Sequence, residues 1–249
     1  MRMRNASEIL CDCNHSCRRC GHKAMKSLAG KALIGFASRI VFYGIFIFVP
    51  AGTVNYWQGW VVLGVFGVIQ LPMVIYFLRR DPGLVERRLK CGSKAENRPR
   101  QKVVMAMIML AAASVCITAG YDHRFGWSEV PRSLVIFADC GIATGLFIQF
   151  LIFKENSFAS ATIRIMPEQR VISTGPYAVV RHPMYAGGVL VNFMLPMALG
   201  SWWASWASFL WLAAVILRVL DEERLLREGL AGYEDYCGKV RSRLVPGVW

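Results

Sequence analysis

Four long apolar runs constrain this chain more than any other feature of its sequence. They are Ala32–Pro50, Trp57–Leu78, Val103–Ala119 and Ser133–Phe153. Each run is close to the roughly 17–25 residues that an α-helix needs to cross the hydrocarbon core of a bilayer. The mean hydropathy of +0.39 and a charged fraction of only 18% agree with this interpretation. We therefore expect an all-α integral membrane protein.

Two formal charges lie inside these runs, Arg39 in the first and Asp139 in the fourth. An ionisable side chain within a membrane helix either faces the helix bundle or marks a functional site. Asp139 is near the start of its helix. That end of the helix should lie at the membrane surface opposite to the one that carries the polar segments of the chain. Packing is therefore the favoured interpretation for Asp139, and a functional role is the alternative.

A fifth apolar region, Met184–Leu217, is too long for one span and is interrupted by Gly-Ser-Trp-Trp at residues 200–203. This pattern predicts a helical hairpin with arms of about 15 residues, short for a full crossing of the bilayer. The sequence thus divides into a cysteine-rich N-terminal segment at 1–31, four transmembrane helices within 32–153, and a C-terminal region at 154–249. That last region contains the membrane hairpin and a polar tail.

The distribution of basic residues predicts the orientation of the chain. Nine of the 29 Lys and Arg residues lie in Arg79–Lys102, whereas the two loops expected on the opposite side contain only Arg124 and Arg132. By the positive-inside rule, both termini should be cytoplasmic. The net charge of +13 is therefore mainly a topological signal, and contact with anionic membrane lipid is its second consequence. Nucleic-acid binding is not expected, because the basic residues flank membrane spans without a recognisable binding motif.

The segment at residues 175–188, GPYAVVRHPMYAGG, combines turn-forming residues with a basic residue, a histidine and two tyrosines directly before an apolar run. Pro176 and Pro183 fix φ and disfavour helical geometry at the residue before each. Arg181 and His182 should therefore lie on a constrained loop that opens into the next helix. Such a loop predicts a polar site at the mouth of a membrane helix. A simple connector between helices is the alternative.

The tail that follows the hairpin carries both signs of charge. Arg218 and Glu222 are four residues apart, as are Glu223 and Arg227, so each pair can meet on adjacent turns of a helix. One interpretation is a solvated helix with surface ion pairs, which contribute little to stability. The other is a functional site, because the predicted topology places this tail, Arg218–Trp249, on the same side as the basic loop Arg79–Lys102 and the connector Lys154–Pro183.

The motif-bearing residues of this region are Gly175, Pro176, Tyr177, Arg181, His182, Pro183, Met184, Tyr185, Gly187, Glu222, Glu223, Leu226, Gly232, Tyr233, Tyr236, Arg243 and Pro246. Together with the intervening hairpin, they resemble the isoprenylcysteine carboxyl methyltransferase family and its phospholipid methyltransferase relatives. The resemblance is most specific over residues 154–249. It implies an integral membrane enzyme that holds S-adenosylmethionine at the cytoplasmic face and methylates a membrane lipid or another lipophilic or small-molecule acceptor.

The side chains are compatible with this cofactor. Aromatic rings can cover an adenine or face a sulfonium, a contact worth roughly 0.5–2 kcal/mol, and the candidates are Tyr177, Tyr185, Tyr233 and Tyr236. Arg181 and His182 can bind the cofactor carboxylate, and Glu222 or Glu223 can bind its ammonium or ribose hydroxyls. The resemblance favours His182, Tyr185 and the glutamate pair, and leaves Arg181 as a possible support for the loop.

The expected reaction is in-line displacement of a methyl group from sulfur by the acceptor. A carboxylate acceptor needs no general base, whereas an amine or thiol must lose a proton, for which His182 or a glutamate such as Glu222 is the candidate. Arg218 can orient an anionic acceptor, and its alternative role is that of a snorkelling residue at the membrane interface. We therefore predict His182, Arg218 and Glu222 as catalytic residues.

The N-terminal segment contains metal-capable side chains with irregular spacing, namely Cys11, Cys13, His15, Cys17, Cys20 and His22. Cys17-x-x-Cys20 is a reasonable half of a zinc site. A flexible thiol-bearing segment and translation starting at Met25 are the alternatives, and no metal is assigned to the predicted methyl-transfer site.

Two other function classes are open. A membrane reductase that uses NADPH is one, since some sterol reductases have a similar tail rich in tyrosine and arginine, although they are generally longer and have more spans. A metal- or redox-sensing membrane module without enzyme activity is the other. Ligand binding distinguishes them, because S-adenosylhomocysteine should bind a methyltransferase and NADPH a reductase.

Overall fold

A computed structural model describes residues 6–89, 96, 98–163, 165 and 169–249, with the side chains of the first helix described from Met25 onward. Throughout these residues the regular structure is helical, without strands. The α-helices are α1 (Ala6–Ala51), α2 (Trp57–Arg80), α3 (Pro82–Leu89), α4 (Pro99–Phe125), α5 (Arg132–Glu155), α6 (Pro183–Ala198), α7 (Ser205–Gly229) and α8 (Tyr233–Lys239). A short 3₁₀ helix covers Gly175–Ala178.

Four of these helices are long and apolar enough to cross a membrane. They are α1 from Met25 onward, α2, α4 and α5, and each contains one of the apolar runs that predicted it. The helices extend past the runs into polar ends, as in α2, which terminates with Arg79 and Arg80. Basic residues are favourable there because the last turn of a helix carries partial negative charge. The prediction of an all-α integral membrane protein is confirmed.

The C-terminal apolar region forms the predicted helical hairpin. The first arm, α6, ends at Ala198, and the second, α7, begins at Ser205. Gly200 in the turn has φ +72°, a left-handed conformation in which glycine is favoured because it lacks a Cβ. The second arm does not stop at the membrane boundary, since α7 continues to Gly229 and includes the first part of the charged tail. The membrane arm and the tail helix are therefore one rigid element.

A buried carboxylate holds the hairpin turn. Asp122 on α4 is only 1% exposed, and its Oδ2 accepts hydrogen bonds from the hydroxyls of Ser128 and Ser201. The Ser201 oxygen in turn accepts the backbone N–H of Ala204, at 3.0 Å. Asp139, the other buried carboxylate of the spans, is 7% exposed and faces the bundle. Its Oδ1 has no hydrogen-bond partner among the described residues.

Close packing of α5 against α6 depends on glycine. A Cβ built on Gly145 would lie 2.6 Å from Cγ2 of Val191 and 3.0 Å from the carbonyl oxygen of Gly187. A Cβ on Gly141, one turn earlier, would lie 2.7 Å from Met194. Small residues spaced by four allow membrane helices to approach closely and pack by van der Waals contact. This contact fixes α6 relative to the middle of α5.

Replacing Gly145 with alanine is expected to destabilise the protein by roughly 1–3 kcal/mol, the usual cost of overpacking a close-packed contact. Thermal unfolding in detergent, followed by circular dichroism, measures the effect. Gly64→Ala in α2 is the matched control, since a Cβ there would have no neighbour within 4 Å. An equal midpoint for the two variants would contradict the close contact between α5 and α6.

The polar segments meet at the end of the bundle opposite the hairpin turn. Arg87 and Arg88 of α3 donate hydrogen bonds to the carbonyls of Ser157 and Ser160 in the connector after α5. Arg98, just before α4, forms a 3.4 Å ion pair with Asp221 of α7. The loop, the connector and the tail thus lie together, as the predicted topology requires. The assignment of this end to the cytoplasm stays a prediction.

Candidate active site

A cavity opens where these polar segments meet. It lies between the connector, the loop before α6, the first turn of α6, the polar half of α7, and α8, and it encloses about 880 Å³ when its open mouth is included. Eight of the nine predicted site residues line it, namely Tyr177, Arg181, His182, Tyr185, Arg218, Glu222, Tyr233 and Tyr236. The ninth, Glu223, is 3% exposed and lies behind the lining, in contact with Arg181.

The loop that carries Arg181 and His182 is constrained as its prolines predict. His182 is the N-cap of α6, and Pro183 is the first residue of the helix, where its missing N–H costs nothing. The backbone N–H groups of Arg181 and His182 donate to the carbonyls of Ser242 and Arg243, each at 2.9 Å. The C-terminal segment therefore fixes both residues at the cavity wall, a long-range contact that the prolines alone do not predict.

Glu223 is the centre of a buried ion cluster behind the cavity. Its Oε1 lies 2.7 Å from Nε of Arg181 and 3.3 Å from Nε2 of His182, and its Oε2 lies 2.9 Å from Nε of Arg243. The His182 contact has the distance of an ion pair without the alignment of a hydrogen bond. Burial alone would raise the pKa of Glu223, but the contacts with His182, Arg181 and Arg243 outweigh it and lower the pKa to about 2. Glu223 is therefore ionised at neutral pH.

Arg181 is held almost entirely by the protein. Besides Glu223, its guanidinium donates to the carbonyls of Val240 and Arg241 at 2.9 and 2.8 Å, and the residue is 7% exposed. Of the two roles predicted for Arg181, these contacts favour support of the loop over direct ligand binding.

A chain of hydrogen bonds leads from the bundle to the cavity. Nε of Arg218 donates to the Tyr185 hydroxyl at 3.0 Å, and that hydroxyl donates to Oε2 of Glu222 at 2.6 Å. The single proton of Tyr185 is thus directed at Glu222. Glu222 is half-buried and lines the cavity, so its carboxylate is oriented by this chain and presented to a ligand.

The ion pairs expected between residues four apart in the tail are replaced by contacts with other segments. Glu223 pairs with Arg181 and Arg243, and Arg227 pairs with Glu234 at 2.7 Å. The solvated-helix interpretation of residues 218–223 is therefore wrong for its buried members. A charge that is removed from water is stabilised more by a well-aligned buried partner of opposite charge than by a flexible neighbour on the helix surface.

Aromatic side chains form another wall of the cavity. The Tyr236 hydroxyl donates to the carbonyl of Tyr177 at 2.7 Å, and Asn156 donates to the Tyr177 hydroxyl at 2.8 Å. Burial raises the pKa of Tyr177 to about 12 and also raises the pKa values of Tyr233 and Tyr236. The Tyr233 hydroxyl is buried at the cavity without a hydrogen-bond partner in the described structure. It is therefore a donor that a polar ligand can satisfy.

Comparison with known families gives a match at this site. The family model of the phospholipid methyltransferases matches residues 134–231. Residues 134–231 are thus similar to the phospholipid methyltransferases. They contain α5, the connector, the loop with His182, both arms of the hairpin and the glutamate pair. The resemblance expected from the sequence is confirmed, and the family is one of membrane methyltransferases. A search of curated proteins finds no match to the chain.

Residues that precede the matched region in the chain also contact the site. Glu96 is 2% exposed, and its Oε1 lies 2.7 Å from Nη2 of Arg218. Gln101 accepts from Nη1 of Arg218 at 3.2 Å and donates to Asp221 at 2.7 Å. A further Arg218 N–H donates to the carbonyl of Ala161. Arg218 therefore neither snorkels to the interface nor has all its donors available for an acceptor.

Sequence reasoning did not identify Glu96 or Gln101 as site residues. Glu96 lies in the basic segment Arg79–Lys102, and an acidic residue among so many cations is the available signal for a buried partner. Its Oε2 also accepts the backbone N–H of Ile163, at 3.3 Å. One carboxylate thus holds both Arg218 and the connector that lines the cavity.

Glu96→Gln is expected to weaken the positioning of Arg218 and lower the affinity of the cavity for its ligand by about 10-fold, because one charge-assisted hydrogen bond is lost. Calorimetric titration of the purified variant with S-adenosylhomocysteine measures this. Glu86→Gln, an exposed change on α3, is the control. Equal affinity in the wild type and Glu96→Gln would remove Glu96 from the site.

The described residues contain no group of three or more His, Cys, Asp or Glu side chains arranged to hold a metal ion. The side chains of Cys11, Cys13, Cys17 and Cys20 lie outside the described part of the structure. The three interpretations of that segment therefore stay open.

Proposed function

We propose that this chain transfers a methyl group from S-adenosylmethionine to a lipophilic or small-molecule acceptor at the cytoplasmic face of the membrane. The observation that carries the proposal is the chain Arg218–Tyr185–Glu222, which ends in an oriented carboxylate at a cavity with aromatic walls. The match to a methyltransferase family over the same residues supports it.

The side chains around the cavity suit the parts of this cofactor. Glu222 offers a carboxylate to an ammonium or to ribose hydroxyls. The rings of Tyr177, Tyr233 and Tyr236 suit an adenine or a sulfonium cation. The unpartnered Tyr233 hydroxyl offers a donor to a polar group of the ligand. The cationic groups, the adenine and a polar group of the cofactor thus each have a complementary side chain in the cavity lining.

The protein contributes to the reaction chiefly by positioning and by excluding water. S-adenosylmethionine supplies an electrophilic methyl group on a positively charged sulfur. The connector, held by Glu96 and Arg218, keeps the cavity wall in place, and a site with little water leaves an anionic acceptor weakly hydrated. Orientation of the two reactants then lowers the entropic part of the barrier.

His182 is the base that we assign to acceptors that must lose a proton. Its ring is 5% exposed, lines the cavity, and lies 3.3 Å from the ionised Glu223. The ring therefore lies between the cavity and a carboxylate. A carboxylate acceptor would not require this step, so His182→Ala should spare methylation of a carboxylate and abolish that of an amine or thiol.

The proposed function is tested by titrating purified protein in detergent with S-adenosylhomocysteine and, separately, with NADPH. Saturable binding of S-adenosylhomocysteine that is weakened in Tyr233→Phe supports the methyltransferase, because that variant removes only the unpartnered hydroxyl. Binding of NADPH alone would favour the reductase, and binding of neither would favour the sensing module.

A further inference from the structure

The hydroxyl of Tyr177 carries a proton that no described residue accepts. Nδ2 of Asn156 donates to the hydroxyl oxygen at 2.8 Å, and this is the one hydrogen bond of that hydroxyl among the described residues. A phenol has one proton to donate and can also accept, so the oxygen accepts from Asn156 and its own proton points elsewhere. Both residues line the cavity of the candidate active site. A ligand in the cavity can supply the acceptor that this proton lacks.

The direction of this hydrogen bond is set by a turn at the end of α5. Asn156 is the C-cap of the helix, and its backbone N–H donates to the carbonyl of Ile152. Its side-chain Oδ1 accepts the backbone N–H of Phe158 at 2.9 Å. Exchanging the two amide atoms would place the NH₂ group against that N–H, so the hydrogen-bond network fixes their assignment. Asn156 is therefore a donor to Tyr177 and not an acceptor.

The rest of Tyr177 is held by other segments. Its carbonyl accepts the Tyr236 hydroxyl at 2.7 Å, and its backbone N–H donates to the carbonyl of Thr174 at 3.1 Å. Burial raises the pKa of Tyr177 to about 12, so the hydroxyl keeps its proton at neutral pH. A donor that is already fixed in position loses little conformational freedom when a ligand binds, which favours binding.

We propose that the Tyr177 hydroxyl donates a hydrogen bond to the bound cofactor and that Asn156 is the positioning residue that directs this donor. S-adenosylmethionine has neutral acceptor atoms on its adenosine part and a carboxylate on its amino-acid part. The role rests on the proposed function, because it takes this cofactor as the ligand. It adds a polar contact to the ring contact already assigned to Tyr177 and adds Asn156 to the site.

Asn156→Asp reverses the direction of the contact and keeps the turn. The new carboxylate still accepts the Phe158 N–H, but it also accepts the Tyr177 proton in a charge-assisted hydrogen bond and withdraws it from the ligand. At pH 8, where this carboxylate is ionised, the affinity for S-adenosylhomocysteine should fall about 3- to 10-fold in calorimetry. Tyr177→Phe should cause a loss of similar size. Tyr121→Phe, an exposed change on α4 outside the cavity lining, should alter the affinity by less than about twofold.

The double variant separates positioning from a structural role. In the Tyr177→Phe background, Asn156→Asp should change the affinity by less than about twofold, because no proton is left to withdraw. Titration with 5′-methylthioadenosine, which lacks the amino-acid part, locates the acceptor. A loss in Tyr177→Phe with both ligands places it on the adenosine, and a loss with S-adenosylhomocysteine alone places it on the carboxylate. Equal losses from Asn156→Asp with and without the Tyr177 hydroxyl would overturn the proposal.

A measurement without ligand distinguishes failure of this proposal from failure of the proposed function. Carbon NMR of protein labelled at tyrosine Cζ reports on each phenol, and the Tyr177 signal is identified by its loss in Tyr177→Phe. In Asn156→Asp that signal should shift toward the phenolate position, because the hydroxyl becomes a donor to a carboxylate. An unshifted signal, or wild-type affinity for S-adenosylhomocysteine in Tyr177→Phe, would overturn this proposal alone. The expected shift without any binding of S-adenosylhomocysteine to the wild type would refute the proposed function and, with it, donation to the cofactor.

Discussion

Replacing Glu223 with glutamine is expected to destabilise the protein by about 3–5 kcal/mol, the cost of breaking a buried ion pair by removing one partner. Arg181, at 7% exposure, would lose its only acidic partner among the described residues, and the loop that carries His182 would lose its support. The free energy of unfolding in mixed detergent micelles measures this effect. Glu228→Gln, an exposed change on the same helix, should alter it by no more than about 0.5 kcal/mol.

The pH dependence of this effect has a defined sign. Because the pKa of Glu223 is lowered in the folded protein from 4.5 to about 2, its ionic contribution to stability is fully present above pH 4.5. That contribution is lost as the pH falls toward 2. The stability difference between wild type and Glu223→Gln should therefore be constant at neutral pH and shrink only below about 4.5. A difference that instead grew on acidification would contradict the cluster.

Replacing Glu222 with glutamine is expected to leave the fold intact and to weaken S-adenosylhomocysteine binding roughly 10- to 150-fold, the equivalent of about 1.5–3 kcal/mol. The amide oxygen can still accept the Tyr185 proton, so the hydrogen-bond chain is kept while the negative charge at the cavity is lost. Calorimetry on protein of equal thermal stability measures the change. A loss below about threefold would assign Glu222 to the scaffold and not to the ligand.

The two neighbouring glutamates show a feature of the site that the sequence alone does not predict. Consecutive residues on an α-helix point about 100° apart, so Glu222 and Glu223 face different surroundings. The sequence predicts the pair but not which member faces the ligand, because that depends on how α7 packs. The packing places Glu222 at the cavity and Glu223 against Arg181.

The membrane architecture was predictable for a simple physical reason. Hydropathy alone locates spans, since apolar length is matched to bilayer thickness, and the Gly-Ser-Trp-Trp interruption located the hairpin turn. The prolines of the loop located the start of α6. These are local signals, each contained within a few tens of residues.

The buried partners were not predictable because they are distant in the chain. Arg218 pairs with Glu96, which is 122 residues away, and Arg181 donates to carbonyls 59 and 60 residues away. Local spacing favoured Arg218 with Glu222 and Glu223 with Arg227. Those local pairs are replaced by contacts that form only when α4, α7 and the C-terminal segment pack together.

The central claim is that the cavity between the connector, α7 and α8 holds S-adenosylmethionine. Ultraviolet crosslinking of methyl-labelled S-adenosylmethionine to the purified protein, followed by mapping of the labelled peptides, tests it most directly. We predict label within residues 169–185 or 225–236, removed by excess S-adenosylhomocysteine and reduced in Glu222→Gln. Label confined to α1–α3, or label that S-adenosylhomocysteine does not displace, would contradict the account.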